Sequence, residues 1–286
     1  IVDFNLTYPA VIILAGQIDI TKSLTIDGPG AANVVVSGNN LTRTFRVTAA
    51  TGDAITIHGL TLRDGQTTTD GGAILHSSGA LTITNAVIAQ NHANRDGGGI
   101  ASFNTLTILG STIMSNTAAG SDLGGGGILV SGASAVISNT AISYNRSTVD
   151  DGGGVTKAHN RTHAITITNS IFWVNSAADD GAGLKLDNTL AYIENTQFID
   201  NGDAVDGGAM HVDYGSSVTI VGSTFVQSSA TDEGGAIYFS GDANTLVVSA
   251  TTFLSNTATT SGGAVYNDKT LRAENSTFYG NSAAQG

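Results

Sequence analysis

Short runs of alternating apolar and polar residues recur along the whole chain, as in Leu81-Thr82-Ile83-Thr84, Ile165-Thr166-Ile167-Thr168 and Val218-Thr219-Ile220. A period of two carried by β-branched residues predicts half-buried strands. No window of ten or more residues shows an apolar stripe at helical spacing with caps. Between the strands, two phrases keep step. The first opens on glycine and closes on an apolar residue three positions later: Gly71/Ile74, Gly97/Ile100, Gly125/Ile128, Gly152/Val155, Gly181/Leu184, Gly207/Met210, Gly234/Ile237 and Gly262/Val265. The second is an apolar residue followed three positions later by Asn: Ile88/Asn91, Ile113/Asn116, Ile142/Asn145, Phe172/Asn175, Phe198/Asn201, Phe253/Asn256 and Phe278/Asn281. Phe225 has Ser228 in that place. Six residues before each Asn stands Asn or Gly again, except at Ala250.

Successive glycine phrases stand 26 to 29 residues apart. A turn of about 27 residues holding two or three short strands is one coil of a solenoid. The predicted fold is therefore all-β, a single-stranded right-handed parallel β-helix of about ten coils. Coils are expected to stack about 4.8 Å apart. Ile88, Ile113 and Ile142 then lie in one column, continued by phenylalanines from Phe172 to Phe278. Asn and Gly at the column ends suit corners with φ > 0, and stacked Asn side chains can pass amide hydrogen bonds from coil to coil.

Strands are expected at Val11–Leu14, Ile18–Ile20, Leu24–Asp27, Val34–Ser37, Phe45–Val47 and Ile55–His58. These first coils lack the glycine phrase and form an atypical segment, 1–65, ahead of the regular coils, 66–286. The repeat runs without linker or composition break, so 1–286 is expected to be a single domain. The chain opens at Ile1 rather than Met, which points to a removed leader or a preceding part. Near Gly286 no polar capping helix follows. An uncovered coil edge templates further stacking, so the expected partners are copies of this chain stacked end to end, or further repeats of the same chain.

Composition narrows the picture. The formal net charge of −12 disfavours nucleic acid and anionic membrane surfaces. Cys is absent, which removes disulfides and thiolate metal sites. The longest apolar run, Val11 to Ala15, is too short to span a bilayer, and no membrane insertion is expected.

Gly-Gly-Ala-Ile at Gly71 to Ile74 and Gly234 to Ile237, alternating with Phe-x-x-Asn at Phe172, Phe198, Phe253 and Phe278, resembles the polymorphic outer-membrane protein repeats of chlamydiae and related bacterial surface β-helix proteins. The resemblance covers roughly Ile55 to Gly286. It implies a secreted passenger or adhesin region without an assigned active site.

Candidate chemistry lies just before the glycine phrases, where the residue is acidic in most coils: Asp70, Asp96, Asp151, Asp180, Asp206 and Glu233, with Asp150, Asp179 and Asp232 as second acids. Stacked about 5 Å apart, neighbouring carboxylates repel by ~1 kcal/mol in bulk water and ~3–4 kcal/mol at an effective dielectric of 20. Solvent, a raised pKa or a cation must relieve this. Asp-Gly is also turn chemistry, which would fan the acids into water. The cation alternative is a structural Ca²⁺ held by Asp151, Asp180, Asp206 and Glu233; no cofactor is required. A second candidate is the column after the closing apolar residue. By strand parity it faces outward and places Lys185, His211, Tyr238 and Tyr266 in a stripe suited to a glycan or a surface protein.

Many β-helices cleave polysaccharides, and the best acid/base cluster here is Asp179, Asp180, Lys157, Lys185, Asp213 and His211. The Gly-His-Gly and Arg-Ile-Lys motifs of pectin-cleaving hydrolases are absent, and coil lengths are nearly constant, so no enzyme is expected. A single Thr column, Thr25, Thr56, Thr82, Thr107, Thr166 and Thr219, is broken by Val136, Tyr192 and Arg272, short of an ice-binding face. The glycine run at Gly124 to Gly127 lacks the Lys-Ser/Thr of a phosphate loop. Sequons stand at Asn5, Asn40, Asn145, Asn160 and Asn275. The expected function is that of an extracellular, non-enzymatic structural rod, either a filament subunit or the shaft of a larger adhesin, with a polysaccharide lyase or hydrolase as the alternative.

Overall fold

The computed structural model describes residues 1–159, 161–241 and 245–286. The sequon at Asn160 lies outside the described residues. Among them no helix occurs, and the strands join three long parallel sheets of 11, 11 and 10 strands. A typical coil visits Ala80–Thr84 in the first sheet, Val87–Ala89 in the second, the short pair His92–Ala93, and then Ile100–Ser102 in the third. The next coil repeats the path, so the molecule is a β-solenoid of about ten turns.

Register follows the repeat. Leu81 pairs with Leu106, then Ala135, Ile165 and Ala191 up the first sheet. In the second sheet Ile88, Ile113, Ile142, Phe172, Phe198, Phe225, Phe253 and Phe278 form one column. Its phenylalanine rings stack with centroids 4.6 to 4.9 Å apart. Phe172, Phe198, Phe225 and Phe253 are wholly buried, and burying each such side chain stabilises by about 1.5–3 kcal/mol. The first coils, before residue 66, feed the same sheets: Val2–Asp3 pairs with Ile26 and Asp27, and Ala10–Ile13 pairs with Val34 to Ser37.

The corners divide the labour differently from the expectation. Asn85, Asn139, Asn169, Asn195 and Asn275 are left-handed as predicted, with φ of 48–51°. The second Asn column is not. Asn91, Asn116, Asn145, Asn175 and Asn201 point inward and are at most 1% exposed. The left-handed residue is the one just before each: Gln90, Ser115, Tyr144, Val174 and Asp200. The corner accepts even a β-branched valine at φ 52°, and it is equally left-handed at Asp64 ahead of Gly65 and at Gln227 ahead of Ser228, so the coil path sets it whether or not Asn follows. Asn91 Nδ2 donates to Asn116 Oδ1 at 2.9 Å, and the pattern continues through Asn145, Asn175 and Asn201 at 3.0 Å each. A ladder of buried amides satisfied in this way specifies register as well as stability. The predicted sequon Asn145 belongs to this ladder and is 1% exposed.

Candidate functional site: the acidic edge

The glycine phrase makes a corner that no side chain could follow. Gly207 has φ 64°, and a Cβ there would collide with the Met210 carbonyl oxygen. This folds the acidic residue preceding the glycine back along the solenoid. The carboxylates do not fan out into water. Asp151 Oδ1 accepts the Asp180 N–H at 3.0 Å, Asp180 Oδ1 accepts the Asp206 N–H at 3.2 Å, and Asp206 Oδ1 accepts the Glu233 N–H at 2.9 Å. Lower down, Asp70 Oδ1 takes the Asp96 N–H at 3.3 Å and Asp96 Oδ1 takes the Gly124 N–H at 3.0 Å. The acid row is a hydrogen-bond ladder in which each carboxylate caps the corner of the next coil.

One cation sits inside the row. Lys185 Nζ lies 3.2 Å from Asp151 Oδ2, 3.3 Å from Asp180 Oδ2 and 3.9 Å from Asp187 Oδ1. His211 Nδ1 is 3.0 Å from Asp180 Oδ2, but off the line of a hydrogen bond. Burial would raise the Asp180 carboxyl; its contacts with His211 and Lys185 outweigh this and hold it below the usual range. Burial would likewise lower the Lys185 ammonium, yet Asp151, Asp187 and Asp180 together lift it above its ordinary value.

The predicted binding stripe requires correction. Lys185 and His211 are 3% and 4% exposed, not outward-facing. Strand parity places them on the outer side of the third sheet, but the glycine corner folds over that side, and a Cβ on Gly181 would touch His211 Cβ at 3.2 Å. The column itself exists: Lys185 pairs with His211, His211 with Tyr238, and Tyr238 with Tyr266. His211 and Tyr238 rings stand 4.5 Å apart, Tyr238 and Tyr266 5.1 Å, and only the two tyrosines reach solvent in part.

Of the residues predicted to hold a cation, Asp151 and Asp180 meet at Lys185, while Asp206 and Glu233 stand higher on the ladder. A different set brings one carboxylate oxygen each within 4.8 Å of the others, namely Asp150, Asp151 and Asp179. Beside it opens a cleft of about 680 Å³, lined by Asp122, Asp151, Asp179, Asp180, Lys185, Asp187, Asp213 and Tyr214 among others. Of the predicted acid/base cluster, Asp179, Asp180, Lys185 and Asp213 line this cleft, His211 lies behind Asp180, and Lys157 is elsewhere. That side chain points into the core and is fully buried, so it serves no cleft chemistry. Asp187 was missed; it lies two residues beyond Lys185 on the same strand, so alternation alone puts it on the same side.

Among the described residues Asp150 gains no neutralising partner. Its Oδ2 is shut from water without a hydrogen bond, and burial, then Asp151, pushes its carboxyl up to about 6. A raised folded pKa penalises the ionised form. The penalty is complete above pH 6 and vanishes below the ordinary 3.8. Asp150→Asn is therefore expected to raise stability at pH 8, by on the order of 1–2 kcal/mol once solvent screening of the half-exposed carboxyl is allowed for, and by only a small part of that at pH 4. Thermal melts at the two pH values check this; an equal effect at both would refute it.

The family model described as the right handed beta helix region matches residues 71–253, and the chain belongs to that family. The right-handed solenoid expected from the repeat is thereby shown. The Chlamydia polymorphic membrane protein repeat matches residues 250–268, so the suspected resemblance to such repeats holds. Among curated proteins no match to the chain is found.

Proposed function

We propose that the protein is a non-catalytic β-helical rod exposed at a bacterial cell surface. The observation that carries this is the closed state of the acid ladder: Asp151, Asp180 and Asp206 each cap the next coil's backbone, and Asp151 and Asp180 also hold Lys185. A general acid and base need free oxygens aimed at a substrate, and those of the ladder are committed elsewhere, which leaves Asp179 as the acid to test. Calcium is not needed for such an edge either, because backbone N–H groups and an ammonium already supply its positive partners.

Incubation with neutral and uronic polysaccharides is expected to release no reducing or unsaturated ends. Release that is lost in Asp179→Asn would establish the polysaccharide enzyme instead, with the cleft as its site. EDTA is expected to leave the melting temperature unchanged.

Two finer forms of the rod differ in how it is used. As a filament subunit, copies would stack end to end; long uniform fibres in electron micrographs would mark this form. As an adhesin shaft, it would offer a lateral face. The outward positions of the second sheet from Val87 to Tyr279 carry no charge, and Tyr144 and Trp173 form an exposed edge-to-face pair there, 4.9 Å apart. Glycan-array signal lost in Trp173→Ala would mark that form.

A further inference from the structure

Two ladders share the corner after the second sheet; at one level the first is cut, and the second loses its regular strand pairing while keeping the Ser229 N–H on the Asn201 carbonyl and the Thr231 N–H on the Ala204 carbonyl, both at 2.9 Å. The first is the asparagine ladder. From Asn91 to Asn201 each lower residue gives the next Asn Oδ1 two bonds, one from Nδ2 at 2.9–3.0 Å and one from its backbone N–H at 3.1 Å. Above Asn201 the position belongs to Ser228, which is completely buried. Its side chain is too short to take either bond, and its Oγ has no hydrogen-bond partner. The ladder resumes only with the Ser228 N–H on Asn256 Oδ1 at 3.0 Å and with Asn256 Nδ2 on Asn281 Oδ1 at 2.9 Å.

The second is the short sheet between the second and third long ones. It runs unbroken from Gln66–Thr67 to Ser176–Ala177 and restarts between Ser229–Ala230 and Thr257–Ala258. Between these, the segment of Gly202, Asp203 and Ala204 is tied by the isolated bridges Ser176 to Gly202 and Ala204 to Ala230. Asp203 there is exposed and left-handed, with φ 62°. A surface hollow of about 260 Å³ opens against Asp200, Gly202, Asp203 and Ser229. The three long sheets cross this level intact, through Ala191 to Val218, Phe198 to Phe225 and Met210 to Ile237.

We propose that the rod carries a built-in yielding seam at this corner, between the coil of Asn201 and the coil of Ser228. Solenoid stability is a sum of coil terms and nearest-neighbour interface terms, and local opening starts where the interface is weakest. Here the interface has lost the two bonds that every lower Asn-to-Asn step makes, and it retains the buried Ser228 hydroxyl with no partner, while Asn201 Nδ2 donates only to the Phe172 and Ile199 carbonyl oxygens. The intact sheets keep the rod in one piece, so the event is a local peeling of residues 200–205 from the coils above and below. At this seam a surface rod bends under load, and an exposed segment becomes available to a protease.

Hydrogen exchange resolved by mass spectrometry tests the seam. Amides at 202–204 and 229–230 are expected to exchange at least about tenfold faster than their counterparts at 117–118 and 146–147. Ser228→Asn is expected to restore both bonds and remove that difference. Equal exchange at all levels in the parent protein, or fast exchange that persists in Ser228→Asn, overturns the proposal. Should that variant not fold, Asn116→Ser gives the reciprocal reading. It is expected to create fast exchange at 117–118 and 146–147, and unchanged protection there overturns the proposal as surely.

Discussion

Replacing Lys185 by methionine is expected to lower the free energy of unfolding by about 3–5 kcal/mol at pH 7. The ammonium is 4% exposed, and Asp151, Asp180 and Asp187 around it are 17–18% exposed. Removing one partner from a buried ion cluster leaves the others uncompensated, and that desolvation is what the variant must bear. The pH window follows from the two shifted groups. Lys185 is raised above its ordinary 10.5, so its contribution is complete below that value and fades as the pH climbs past it. Asp180 is lowered from 3.8, so its contribution is complete above that value and is lost as the pH falls below it. The gap between parent and variant is therefore widest from about pH 5 to 10 and narrows in acid, where the stranded carboxylates take up protons. Urea unfolding at pH 4 and pH 7 measures it. A gap that stays constant across that range would mean that the carboxylates are solvated and the ladder carries no strain.

The sequence made the solenoid legible because two phrases with different jobs kept the same period. The column from Ile88 to Phe278 could be aligned without coordinates, and so could the Asn ladder, since identical residues at identical spacing leave one consistent register. The acidic edge was legible as a row of residues but not as a structure. Parity along a strand says which side Lys185 takes; it does not say that the preceding glycine corner will fold over that side and bury it. The same limit applied to the left-handed corner positions. Tyr144 and Val174 have no preference for φ > 0, and they adopt it at a corner that is equally left-handed at Gln227 ahead of Ser228, so the stacked coil path and not the local residue dictates the turn. The stacking of equivalent corners is invisible to local propensity, and so is a glycine corner that folds over a neighbouring strand.

Lys157 is where the pattern itself was broken, and replacing it by methionine is expected to stabilise the protein. The side chain stands in an inward column, between Val130 below and Leu186 above. It is wholly buried, and its Nζ makes a hydrogen bond to the Ala158 carbonyl oxygen at 3.3 Å, with no carboxylate in an ion pair with it among the described residues. Burial pushes its ammonium down from 10.5 to about 8. The folded protein therefore disfavours the charged form, by about 3 kcal/mol for a shift of this size. The sign is opposite to that of Lys185. The penalty is complete below pH 8, shrinks as the pH rises from 8 towards 10.5, and is gone above it, so the parent protein gains stability over that interval on account of this group. Methionine has nearly the same length and fills the same space without a charge. The Ala158 carbonyl keeps the Gly132 N–H at 3.0 Å when the amine is removed. Lys157→Met is thus expected to be more stable than the parent by about 3 kcal/mol at pH 7, with the advantage falling away by pH 10.5. Denaturant titrations at pH 7, 9 and 10.5 check both the size and the slope. A loss of stability at pH 7 would show that the amine is held in the core by more than the single bond to Ala158, and that the buried charge is compensated after all.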